Sequence, residues 1–304
     1  MKNKTSSAGF TPNKVYAIVT EKIIKQINAG TIPWLKPWKP SDAPHNISGR
    51  RYSGINPFLL EAAREEGEFE SNIWMTFNQA MELGGDVKGQ HTSMVIYASS
   101  FDKKPNEAGK VEKGFSLRYY HVFNADQVAN ITLPKVAPIP VVDPIKAADR
   151  VIKNMPQRPE IKHGGNRACY FPLRDNIQLP PRNSFKASEL YYAVAFHELV
   201  HATAHESRLA RQVGTHIFGS QDYSKEELVA EMGSAFLMGA TGIETAQSTT
   251  TSAAYIQNWL QALANDVTLV VKAASAAQRA ADFILGLDTV AARRSESVGE
   301  EVAA

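Results

Sequence analysis

His197-Glu198-Leu199-Val200-His201 sets two imidazoles four residues apart with a carboxylate beside the first, and on an α-helix that spacing puts both rings on one face. Histidines one turn apart can share a metal ion, and the adjacent acid can act as base toward the water such an ion binds. Imidazole nitrogen suits Zn²⁺, and a hydrolytic site needs only three protein ligands, leaving a position for water with a pKa near ~7. The pattern points to metal-assisted hydrolysis, with His197 and His201 as ligands and Glu198 as general base. The approach, Glu189 to Phe196, is apolar and free of Gly and Pro, and Ser188 is placed as its N-cap.

The third ligand is expected from a later element. Tyr223 to Leu237 reads as a helix opened by Ser224 with Glu227 three residues on, a capping-box pattern. Glu227 and Glu231 lie one turn apart on one face, so one can bind the metal while the other holds the outer proton of a ligand imidazole. We assign Glu227 as ligand and Glu231 as its outer partner, the reverse staying open if Glu227 only caps the helix. His205 is the rival ligand, one turn beyond His201. Three donors along one straight helix cannot converge on a single ion without a chain reversal, and Ala202-Thr203-Ala204 offers no glycine for one. His205 is therefore read as a polar residue at the cleft mouth or as a partner of Glu206.

A chain of 304 residues has room for two cores. The lone Cys169 excludes an internal disulfide framework and a Cys-based zinc site. No apolar run is long enough to span a bilayer and the start lacks the core of a signal peptide, so the expected compartment is the cytoplasm and no membrane partner is expected. Four prolines crowd Pro134 to Pro144, too closely for a helix or central strand. The division expected is 1–130, a Pro-rich linker at 131–146, a second domain at 147–290, and a tail from 291. The fold class is α+β. Helices are expected near Asn13 to Ala29, Pro57 to Glu66, Phe77 to Leu83 and Ile145 to Asn154, with one helical stretch from Ala253 to Gly286. Strands are expected in His91 to Ser99, Leu117 to Asn124, Ala168 to Phe171 and Asn176 to Leu179.

The net charge of +2 hides an asymmetry: through Phe58 there are nine Lys/Arg against two acids, Glu21 and Asp42. Trp34, Lys36, Trp38 and Lys39 alternate indole and ammonium among prolines, and Arg50, Arg51 and Tyr52 repeat the theme. Single-stranded nucleic acid is held this way, aromatic faces stacking bases while cations follow phosphates. The same tryptophans read equally well as core wedges in a loop-rich domain, and Trp74 is read as core.

Taken together, Ile32-Pro33-Trp34, Lys36-Pro37-Trp38, Gly54-Ile55-Asn56, Trp74 to Ala80 and Leu83-Gly84-Gly85, followed by Asp175-Asn176-Ile177, Phe196 to Thr203, Arg208-Leu209 and Glu226 to Glu231, resemble the ArdC family of plasmid antirestriction proteins over nearly the whole chain. The resemblance implies an N-terminal single-stranded DNA-binding domain and a helix-rich, zincin-like metallopeptidase domain. It also implies protection of incoming conjugated DNA from host restriction, while the ligand set itself calls for one divalent metal, Zn²⁺ by ligand type with Mn²⁺ or another ion as substitutes. The protein substrate is unknown, a component of host restriction being the candidate. Two function classes follow: a DNA-guided zinc metallopeptidase, or a protein that shields single strands and whose metal site is not proteolytic.

Overall fold

The computed structural model describes residues 12–35, 43–102, 113–133, 143–211, 221–244 and 253–287. In the N-terminal half, helix α1 (Pro12–Asn28) precedes a four-stranded sheet of order β1-β2-β4-β3, built from His45–Asn46, Ile73–Met75, Ser93–Asp102 (β3) and Lys113–Asn124 (β4). β3 and β4 pair antiparallel from Ser93↔Val122 to Asp102↔Lys113. Alternation decides their faces: Met94, Ile96 and Leu117 enter the main core, whereas Val95 and Val122 join Leu60 and Trp74 in a small cluster on the other side. β3 is an edge strand, and α2 (Asn56–Glu66) blunts it. The Asn56 amide donates to the Ile96 carbonyl and accepts from the Ile96 N–H, both at 2.8 Å, as a neighbouring strand would. A short α3 (Phe77–Glu82) follows β2.

The C-terminal half opens with α4 (Pro144–Asn154), capped by Asp143, whose carboxylate accepts from Ile145 N and Lys146 N. A three-stranded sheet of order β5-β7-β6 follows, from Glu160–His163, Cys169–Phe171 (β6) and Asn176–Leu179 (β7). Helices α5 (Ser188–Ala202), α6 (Gln221–Thr241), α7 (Ala253–Asn265) and α8 (Leu269–Ile284) complete the half. Gly233 lets α6 come down on Val200 of α5, and Ser234 Oγ donates to Ala193 O at 2.9 Å across the same contact. The expected single helix from Ala253 to Gly286 is two helices. Asp266 breaks it by accepting from Thr268 N and Oγ1 at 2.9 and 2.7 Å, the local side-chain turn that competes with helix.

One apolar core runs through both halves, from Val15 on α1 to Ile284 on α8. Trp34 stands edge-on to Trp259 with centroids 5.4 Å apart, and Phe58 of α2 stacks on Phe236 of α6 at 5.1 Å. Thr20 Oγ1 donates to Val267 O at 2.7 Å. Most of the expected linker, residues 134–142, lies outside the described residues, as does the tail from 291.

Candidate functional site

Helix α5 carries His197, Glu198 and His201, and it stops at Ala202 without the glycine that a chain reversal would ordinarily use. Arginines end it instead. Arg208 Nε donates to Ala202 O at 2.6 Å and Arg211 Nη2 to Val200 O at 3.2 Å, so two cations satisfy terminal carbonyls where the helix dipole favours positive charge. Ser188 is the first helical residue rather than the cap: Ala187 holds that place with no side-chain bond. Ser224 likewise lies inside α6, which begins at Gln221. The capping-box reading is thereby overturned, and Glu227 has no capping role to fill.

The two halves of the site meet where α6 crosses α5. His197 Nε2 and His201 Nε2 are 3.0 Å apart, and the Glu227 carboxylate lies 3.5 Å from the first and 3.4 Å from the second. Two ligands on one tetrahedral ion at ~2.0–2.1 Å stand about 3.3 Å apart, so this donor set fits one ion. Among the described residues these three form the only His/Cys/Asp/Glu group with that convergence. The outer nitrogens are also met. His197 Nδ1 faces Glu231 at 3.7 Å and His201 Nδ1 faces Glu226 at 3.3 Å, the imidazole–carboxylate pairing that orients metal-binding histidines. Arg211 Nη2 in turn donates to Glu226 Oε1 at 2.5 Å.

Electrostatics follow from that crowding. Burial pulls the His201 pKa down, but hydrogen bonds to Glu226 and Glu227 outweigh it and leave the ring raised to about 10. Burial opposes ionisation of Glu227, yet the two imidazoles hold its carboxyl well below the usual range. Burial pushes Glu231 up. Glu198 stays outside the donor set: its Oε2 accepts from Tyr170 N of β6 at 2.7 Å. Cys169 sits next to it, its thiol pushed up by burial and then by Glu198.

Comparison with known proteins agrees with both halves. Residues 13–123 match the N-terminal domain of anti-restriction factor ArdC, and residues 146–276 match a zincin-like metallopeptidase domain. The metal-free crystal structure of the antirestriction ArdC protein from R388 plasmid is 35% identical, with a TM-score of 0.71 over 89% of this chain and 96% of that one; its Mn(II)-bound form is 36% identical. The chain belongs to the ArdC antirestriction family. Protein y4eC of Sinorhizobium fredii, 32% identical, is matched over 90% of this chain and 92% of its own length. A DNA primase TraC of Escherichia coli is 34% identical over 90% of this chain, which spans only 20% of that longer protein. The donor set and the Mn(II)-bound ArdC relative together support a divalent metal.

Among the other residues singled out in this ArdC-family chain, the structure departs from expectation at Trp34 and in the partner of His205. Trp34 is 2% exposed and wedged between Phe58 and Trp259, so it offers no face to a base; the stacking assignment is corrected to core. Lys36, Trp38 and Lys39 lie outside the described residues. Arg50 and Arg51 are exposed, and Tyr52 is half-buried against the Leu60/Trp74 cluster. His205 turns away from the donor set, its Nδ1 2.8 Å from Ser207 Oγ and accepting from Ser207 N at 3.2 Å; Ser207 takes the place expected for Glu206. Glu226, Arg208 and Arg211 were not picked out for the site. The available signals are Glu226 directly preceding Glu227 and the presence of Arg208 and Glu226 in motifs of the resemblance; Arg211 carries none.

Proposed function

We propose that this chain is an antirestriction protein that binds single-stranded DNA without sequence preference through its N-terminal half and carries a zinc-dependent peptidase site in its C-terminal half. The observation that carries the reading is the convergence of His197 Nε2, His201 Nε2 and Glu227 beside a carboxylate, Glu198, that takes no part in it. Bound there, Zn²⁺ would supply Lewis acidity toward water and a peptide carbonyl. The chain's own residues would do the rest. His197 and His201 present neutral nitrogens, with Glu231 and Glu226 fixing their orientation. The Tyr170 N–H ties down Glu198 Oε2 and leaves Oε1 to take a proton from water and return it to the leaving amine.

Support for the DNA half comes from the match to the ArdC N-terminal domain and the basic excess through Phe58. The protein would act in the cytoplasm on incoming conjugated strands, with a component of host restriction as the peptide substrate. Among the described residues no helix is long and apolar enough to cross a membrane. Glu198→Gln is the test, because it keeps shape and metal ligands while removing the base. Loss of protection in a plasmid-transfer assay, with metal content unchanged, supports the peptidase reading. Full protection by the variant would favour single-strand shielding with a non-proteolytic metal site.

A further inference from the structure

The burial of Trp34 means that, if the N-terminal half holds single strands, bases must stack elsewhere. The hairpin of β3 and β4 has one face in the main core, with Tyr119 packed on that side. Its other face is covered only in part. Val95, Val122, Trp74 and Leu60 form a small cluster there, and Tyr52 and Tyr120 lie half-buried on it. Tyr97 and Arg118 are direct cross-strand partners one step further along the hairpin. Alternation puts Tyr97 on the face of Val95 and Arg118 on the face of Tyr120. Tyr97 is half-exposed and Arg118 exposed. Arg50 is close enough to Tyr52 to favour its ionised form against burial, which brings a second cation to the rim, and exposed Arg51 adjoins it in sequence.

We infer that single-stranded DNA lies across this face, with bases stacking on Tyr97, Tyr120 and Tyr52 and phosphates met by Arg118, Arg50 and Arg51. The inference rests on the reading that the N-terminal half binds single strands, and it replaces Trp34 with rings on the sheet. Tyr97 and Tyr120 are diagonal neighbours across the pair, about 7–8 Å apart, so successive bases of an extended strand can reach one ring each. Unstacked bases suit such a platform, whereas a duplex keeps its base faces closed. Arg118, Arg50 and Arg51, all exposed, are the cations at and beside this face for a phosphate chain to meet.

The test uses the full chain and a fluorescein-labelled oligothymidylate, with anisotropy titrations over a range of salt. Tyr97→Ala should weaken binding by ~5- to ~140-fold with the salt dependence unchanged. Arg118→Ala should flatten the slope of log K against log salt by ~0.7. Lys162→Ala, on the other half, should change neither. Tyr120 contributes to packing, so it is probed without substitution: photocrosslinking of the unaltered chain to an iododeoxyuridine oligonucleotide should label peptides containing Tyr97 or Tyr120. If the unaltered chain does not bind the oligonucleotide, the single-strand reading falls and this surface with it. If it binds but Tyr97→Ala and Arg118→Ala bind equally well and crosslinks map elsewhere, the surface is wrong and the single-strand reading stands.

Discussion

Gly233 of α6 faces Val200 of α5 so closely that a Cβ on the glycine would stand 2.7 Å from Val200 Cγ2. The valine therefore packs onto bare helix backbone, and this crossing holds Glu227 against the histidines. Gly233→Ala should destabilise the fold by ~1–3 kcal/mol through overpacking, although alanine is the better helix former. Val200→Ala combined with it should recover part of that loss. Urea unfolding of the two single variants and the double reads the coupling, and strict additivity would count against a steric origin.

Glu227 and Glu231 stand in different relations to the histidines, the first at both Nε2 atoms and the second at His197 Nδ1. Glu227→Ala should reduce bound divalent metal in purified protein from near one equivalent to almost none. Glu231→Ala should keep the ion with ~10–100-fold weaker affinity. Metal analysis after dialysis separates them, and the opposite ranking would hand the ligand role to Glu231.

pH should act on the metal-free and metal-loaded protein in opposite senses. His201 is raised from 6.5 to about 10, so its contribution to metal-free stability is complete below about pH 6.5 and is lost as pH climbs through about 10. Glu227 is lowered from 4.5, so its contribution is complete above that value and is lost as pH falls further. Metal needs the neutral imidazole, so its affinity should rise with pH through the same range. Thermal melts with and without added Zn²⁺ should show a stabilising increment that grows from pH ~6 to pH ~9. A constant increment would mean the imidazoles are not protonated as described.

Arg208 has a side chain only 1% exposed, paired with Asp175 and bonded to Ala202 O, Gln157 O and the Tyr170 hydroxyl. It joins the end of the histidine helix to the strand whose N–H holds Glu198. Arg208→Ala should cost roughly 2–3 kcal/mol, since the part-buried Asp175 carboxylate and the Ala202 carbonyl lose their donor. Arg208→Lys should restore little, because one ammonium cannot span that fork of partners. Chemical denaturation checks both.

A fragment ending near Leu133 should not behave as an independent domain. It would uncover Trp34, Phe58 and the inner face of α1, which the intact chain covers with α6, α7 and α8. Aggregation or a non-cooperative melt is expected, and a monomeric fragment with a sharp transition would contradict the shared core.

The site is legible in sequence where its geometry is local. His197 and His201 need only one helical turn, and Glu227 with Glu231 only another. Glu226 and Arg211 are not, because Arg211 comes back to the site through the turns that follow Ala202, which no periodic pattern announces. Aromatic and cationic residues among prolines look the same whether they line a groove or plug a core. What decides for Trp34 is Trp259, far away in the chain. Helices α1 to α4 fall within a residue of expectation: Pro12 and Pro144 open α1 and α4, Pro57 stands second in α2, and Thr76 caps α3. The polar β5 offers no apolar alternation to read, and the Asp266 turn hides inside an otherwise helical composition.

The indole contact between the halves also bears on inheritance. Each half supplies the other with aromatic cover, so a recombination that swapped only one would leave Trp34 or Trp259 facing a stranger. In the Escherichia coli TraC primases the stretch resembling this chain covers 90% and 89% of it within 20% and 27% of their own length. Both halves thus sit side by side in far longer polypeptides.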